Sequence, residues 1–265
     1  KKWKKNHTND LSFGGQNRDE YDAVISVMAR STETDINAQH QPNGELIAFV
    51  SYRSGNSQLW LIEGERIYQL TQFDDGMTGL WYSWAPDGQQ LLVNVNHQLA
   101  LVELDGSYRF IESPIAVNYI VPWTQPTKLL AIATQSKNDQ LFSMDLATGE
   151  TTDTGISDVL WATYTEQQDI LYSDNQKDFF LSSGDSTIAL TTLNNKLYGK
   201  RVLFTNNELY GLDIRHQLWR YELPNGALEY LTTTNKDVMN VSSLQDGQML
   251  GSQFIGGRRE LVELT

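Results

Sequence analysis

The chain has 265 residues, a formal net charge of −13 and no cysteine, which excludes a disulfide frame, a thiolate metal site and a cysteine nucleophile. Four of its 20 basic residues fall in Lys1-Lys2-Trp3-Lys4-Lys5, so 16 face 33 acidic ones in the remainder, a balance of −17 that repels a nucleic-acid backbone. Aromatic residues make up 11%, helical-period stretches rich in Ala, Glu and Lys are nearly missing, and no apolar run approaches the ~20 residues of a membrane helix.

Residues 1–20 read as a flexible basic and polar segment. No apolar stretch follows the Lys cluster, so it is not a signal peptide; it fits a juxtamembrane flank of a longer protein, or a solvated tail. Residues 21–265 read as a single domain. It opens with Val24 to Thr32, which alternates like an outer strand.

A polar turn leading into an apolar strand then recurs: Pro42-Asn43-Gly44, Pro86-Asp87-Gly88, Gln125-Pro126-Thr127, Glu166-Gln167-Gln168, Asn206-Asn207 and Gln245-Asp246-Gly247. Pro presets φ, and Gly or Asn accepts the left-handed conformation, so these residue types suit tight reversals between strands. A second marker, a polar residue followed by an apolar pair, starts at Gln58, Gln98, Gln140, Asp178, Gln217 and Glu260, with spacings of 40, 42, 38, 39 and 43 residues. Four short strands with a period near forty residues are the signature of a β-propeller blade, and six copies predict a six-bladed propeller, all-β, with four-stranded antiparallel blades. The sixth copy has three strands. The segment at about 22–32 is therefore expected to supply the fourth by pairing with Glu260 to Leu264, closing the ring and covering two sheet edges.

Two copies carry a fuller motif. Ile47-Ala48-Phe49-Val50-Ser51, Arg53-Ser54-Gly55-Asn56, Gln58-Leu59-Trp60 and Gln69-Leu70-Thr71, followed by Ser83-Trp84-Ala85-Pro86-Asp87-Gly88, closely resemble the TolB-like, WD-repeat-like propeller repeat. The resemblance covers 22–265 in pattern and 38–92 in motif. It implies a bacterial, extracytoplasmic module for sensing or protein interaction that is seldom catalytic. Some members form the C-terminal, periplasmic half of membrane-anchored transcriptional activators of the CadC and ToxR type, and the basic start and early strand fit a chain of that kind. A free periplasmic TolB-like scaffold and a propeller-fold glycan hydrolase or lyase are the alternatives.

The sequence offers little catalytic chemistry. His7, His40, His97 and His216 stand at unlike positions and read as surface residues rather than a three-His metal site. There is no phosphate loop, no nucleophile elbow and no His-Glu-x-x-His, and Gly256-Gly257 falls in a hairpin. No enzyme activity, metal or cofactor is expected.

Topology supplies two candidate sets for binding. The second-to-third hairpins and the blade-to-blade crossovers share one end, which puts Arg53, Lys137, Lys177, Arg215 with His216, and Arg258 with Arg259 on one rim. Asp74, Asp75 and Glu112 lie in crossovers at the same end, and such hairpins favour basic residues in any case. Trp81, Tyr119, Trp161 and Tyr198, near the entry to the innermost strands, form the second set, at the channel mouth or in the blade packing. The expected partner is a protein or peptide, or a small anionic ligand, at one face. Nucleic acid is not expected to bind this domain, and a membrane is met only through a helix before Lys1.

Overall fold

A computed structural model describes residues 25–29, 32–79, 81–135, 138–194, 196, 202–233 and 238–264. The N-terminal tail and residues 22–24 and 30–31 of the expected closing strand lie outside them. The described residues form six four-stranded antiparallel sheets, the predicted six-bladed propeller. The first strand, β1 (Ile25–Ala29), belongs to the last blade. Blade 1 is β2 (Asp35–His40), β3 (Ile47–Ser51), β4 (Gln58–Glu63) and β5 (Arg66–Gln69), and blade 2 is β6 (Tyr82–Trp84), β7 (Gln90–Val95), β8 (Gln98–Glu103) and β9 (Tyr108–Phe110). Blade 3 is β10 (Tyr119–Ile120), β11 (Lys128–Gln135), β12 (Asn138–Asp145) and β13 (Thr151–Ser157), and blade 4 is β14 (Val159–Tyr164), β15 (Ile170–Asp174), β16 (Phe179–Ser183) and β17 (Ser186–Ala189). Blade 5 is β18 (Leu203–Thr205), β19 (Glu208–Leu212), β20 (Gln217–Glu222) and β21 (Leu228–Thr233), and blade 6 is β22 (Val238–Gln245), β23 (Gln248–Ile255) and β24 (Arg258–Leu264), completed by β1.

The turn residues behave as their chemistry requires. Asn96-His97, Asn206-Asn207, Asp246-Gly247 and Gly256-Gly257 each join two strands by two residues with positive φ, the arrangement whose twist matches a right-handed hairpin. Glycine is also needed where blades abut: a Cβ on Gly106 would lie 2.5 Å from the Leu70 carbonyl oxygen, and one on Gly149 1.7 Å from that of Glu112.

Strands in the middle of a blade are covered on both faces, so they read as continuous apolar runs rather than alternating ones. In β7, Leu91 and Val93 pack toward blade 1 while Leu92 packs toward blade 3. Buried apolar clusters fill all six blade-to-blade interfaces, from Val50 with Trp84 between blades 1 and 2 to Phe49 with Leu261 between blades 1 and 6.

Ring closure follows the sequence expectation. β1 pairs antiparallel with β24, Ile25 opposite Leu264 and Ala29 opposite Leu261. Side-chain bonds lace the same seam at the centre: Ser242 Oγ donates to the Ala38 carbonyl at 2.5 Å, and Ser243 Oγ accepts from the His40 backbone N–H at 3.1 Å. Deleting residues 1–31 removes β1 and leaves β24 as an open edge. The shortened chain is expected to self-associate and to melt at a lower temperature. Size-exclusion chromatography and thermal unfolding check this; a monomer with an unchanged Tm would refute the closure.

Candidate functional site

The innermost strands of all six blades enclose a central channel of about 880 Å³. Trp81, Tyr119 and Trp161 all line it; Tyr198 lies outside the described residues. Trp161 is 6% exposed and serves both the channel wall and the core between blades 4 and 5, while Trp81 and Tyr119 are half-buried. Trp84 and Trp123, buried in the cores between blades 1 and 2 and between blades 2 and 3, also border the channel, because an innermost strand offers both faces to neighbours and its edge to the axis.

The opposite mouth is built from the turns joining the first two strands of blades 1, 5 and 6, with Glu45, Asn206 and Asp246 among its residues. His40 stands here. It is the last residue of β2 and half-buried in the channel wall, which corrects its reading as a surface histidine. The cause is a β-bulge between Ile36 and Gln39, where Asn37 has φ of 62°; the extra residue reverses which side chains turn inward. Bulges in β14, before Trp161, and in β22, before Ser243, re-aim those residues in the same way.

His40 Nδ1 lies 2.9 Å from Ser243 Oγ. Burial pushes the imidazole below its ordinary value of 6.5, against a smaller upward pull from the Asp246 carboxylate. The folded state therefore binds fewer protons than the unfolded one. The stability this provides is complete above pH 6.5 and is lost as pH falls toward the lowered folded value.

Much of the wall's polarity is committed to the scaffold. Tyr82 Oη lies 2.6 and 2.7 Å from the carbonyl oxygens of Asn37 and Ala48, between which it shares its one proton, Trp84 Nε1 donates to the Gln39 carbonyl at 3.2 Å, and Ser83 Oγ accepts from the Trp123 backbone N–H at 2.8 Å. No three His, Asp or Glu side chains converge as a metal-ligand set among the described residues. No helix among them is long and apolar enough to cross a membrane.

The basic rim is only partly open. Arg53 Nη2 donates to Asp35 Oδ2 at 2.7 Å, with Asp35 1% exposed, and the guanidinium lies over Phe49 and Trp60. Arg258 pairs with the buried Glu260 at 2.7 Å. Lys177 and His216 hold left-handed turn positions, with His216 Nδ1 3.1 Å from the Val238 carbonyl, and Arg215 and Arg259 are exposed. Lys137 lies outside the described residues.

Neither a family model nor a curated protein matches the sequence. Solved structures do match in fold. An oligogalacturonate lyase in complex with manganese aligns over 96% of both chains with TM-score 0.61 at 12% identity. A putative TolB from Agrobacterium tumefaciens aligns over 89% of this chain and 91% of its own, with TM-score 0.63 at 14% identity. TolB from Acinetobacter baumannii aligns over 90% of this chain and 65% of its own, with TM-score 0.56 at 16% identity. The chain thus has a TolB-like propeller fold.

Two outcomes follow from this geometry. Arg53→Ala strands the Asp35 carboxylate in the interior and is expected to cost about 3 kcal/mol, whereas Arg215→Ala at an exposed tip changes stability by less than about 0.5 kcal/mol. Urea unfolding of both variants measures the difference. His40→Gln removes the proton linkage, so its Tm should fall less steeply than that of the parent as pH drops below 6.5.

Proposed function

We propose that this chain is the extracytoplasmic binding domain of a membrane-anchored transcriptional regulator, a periplasmic module that recognises a ligand or partner segment rather than an enzyme. The observation that carries the reading is the channel: about 880 Å³ lined by Trp81, Tyr119, Trp161 and further aromatic side chains, with neighbouring polar groups tied into blade-to-blade hydrogen bonds. Aromatic walls in a concave site provide large contact area at low entropic cost, the usual means of anchoring a peptide or small organic molecule. Groups already engaged in holding blades together favour binding over proton transfer.

The connectivity supports a signalling role. β1 completes blade 6, and its first residue, Ile25, lies opposite Leu264 of β24, at the same end as the β22–β23 turn at the channel mouth. A ligand that grips inner strands of blades 1 and 6 tightens the seam that β1 closes, and its differential affinity for the tightened state is what shifts the preceding part of the protein.

Thermal-shift titration of the chain with a panel of short peptides and small organic anions tests the reading. A ligand at about 100 times its Kd stabilises the fold by about 2.7 kcal/mol, a shift of several degrees in Tm. Trp81→Ala is expected to abolish the shift and, because Trp81 packs against the core between blades 2 and 3, to lower the unliganded Tm as well, and the domain should not retard duplex DNA at about 0.15 M salt. No shift with any member of the panel, or an undiminished shift in Trp81→Ala, overturns the channel reading.

A further inference from the structure

Where blade 6 meets blade 1 on the hairpin rim, a second concavity of about 690 Å³ lies between Tyr52, Arg53 and Gly55 of the β3–β4 hairpin, Glu33 and Thr34 of the crossover from β1, and Arg259 of β24, with Ile36 at its base. It shares no lining residue with the central channel.

Its chemistry centres on an incompletely matched guanidinium. Arginine presents five N–H donors in a planar fork. Arg53 uses Nη2 on Asp35, is held over Phe49 and Trp60 with its charge 5.4 and 5.6 Å from their ring centres, and is thereby fixed in direction. Its Nε is buried with no acceptor and Asp35 Oδ1 is buried with no donor, so the pair is held by a single hydrogen bond. Nη1 has no acceptor among the described residues, and the side chain faces the groove it lines.

Arg259 supplies the second cation. It lies directly opposite Phe254 across the β23–β24 pair, so the two share one face of blade 6, and Phe254 is 48% exposed. Arg258 is neutralised by Glu260, but Arg259 takes part in none of the ion pairs among the described residues. Two guanidinium groups from adjacent blades thus border one concavity, beside an exposed ring, on a protein whose net charge is −13.

We propose that this seam groove is a binding site for a carboxylate attached to an apolar or aromatic group. The carboxylate sits between the free edge of Arg53 and Arg259, and the apolar part lies toward Phe254. A planar carboxylate matches the guanidinium fork, of which Asp35 engages Nη2 alone.

The ligand carboxylate can come from a free acid or from an acidic side chain of a peptide, and two probes separate these. N-acetylphenylalanine and a fluorescein-labelled, C-terminally amidated peptide of alternating Glu and Phe are titrated into the full chain at low salt, with inorganic phosphate as competitor. At least one probe should bind. Arg259→Glu and Arg53→Lys, which keeps the charge beside Asp35 but loses the fork, should each weaken binding by about tenfold or more. Thermal unfolding confirms that both variants are folded. Trp81→Ala in the channel should leave this binding unchanged, so failure here and failure of the channel reading are told apart. Absence of binding by both probes, undiminished binding by Arg259→Glu, or displacement by phosphate at concentrations where the carboxylates do not compete overturns the proposal.

Discussion

A blade of four strands has two apolar faces and cannot bury either alone, and this constraint governs everything else in the molecule. Each sheet needs a neighbour on both sides, which is satisfied for six sheets only when the last packs against the first. The chain meets this requirement by returning its first strand to its last blade, so that the final sheet is composed of residues from both ends of the described chain. The seam between blades 6 and 1 therefore unites the segments farthest apart in sequence. It is also where the cross-blade polar contacts of Ser242, Ser243 and Asn240 accumulate.

Closure creates the channel as a by-product. Six inner strands facing an axis leave a space that their side chains only partly fill, and its character depends on what those strands can afford to expose. Here they expose aromatic edges, and they spend hydroxyl, indole and carbonyl groups on neighbouring blades. A wall built this way is rigid and shape-selective, and its principal titratable groups, His40, Glu45 and Asp246, gather at one mouth.

Electrostatics act locally against a strongly acidic background. Arg53 and Arg258 appear as rim cations in the sequence, but each meets a buried carboxylate, so most of their field is spent inside the protein. Arg259 and the unused edge of Arg53 then stand out because of what surrounds them, not because the rim as a whole is positive. Charge counted along a chain overstates what a surface presents once neighbouring strands bring counter-charges alongside.

The architecture was legible from sequence because its determinants are local and periodic. Turn residues at Asn206-Asn207 and Asp246-Gly247, apolar runs such as Leu91–Val95 and the forty-residue spacing each report on a few neighbours in the chain, and the incomplete sixth copy required a strand such as the one at Ile25–Ala29. Trp81, Tyr119 and Trp161 are singled out by their place near the entry to the innermost strands, which leaves the channel mouth and the blade packing both open. Tertiary structure decided what that logic cannot reach. Asp35 is matched with Arg53 through the β2–β3 register, His40 is turned to Ser243, 203 residues away, by a bulge, and Arg259 is brought to the groove that Arg53 lines by ring closure. A bulge inverts the two-residue alternation, and closure joins the chain's remote ends; neither leaves a periodic trace in the residues whose side chains it sets.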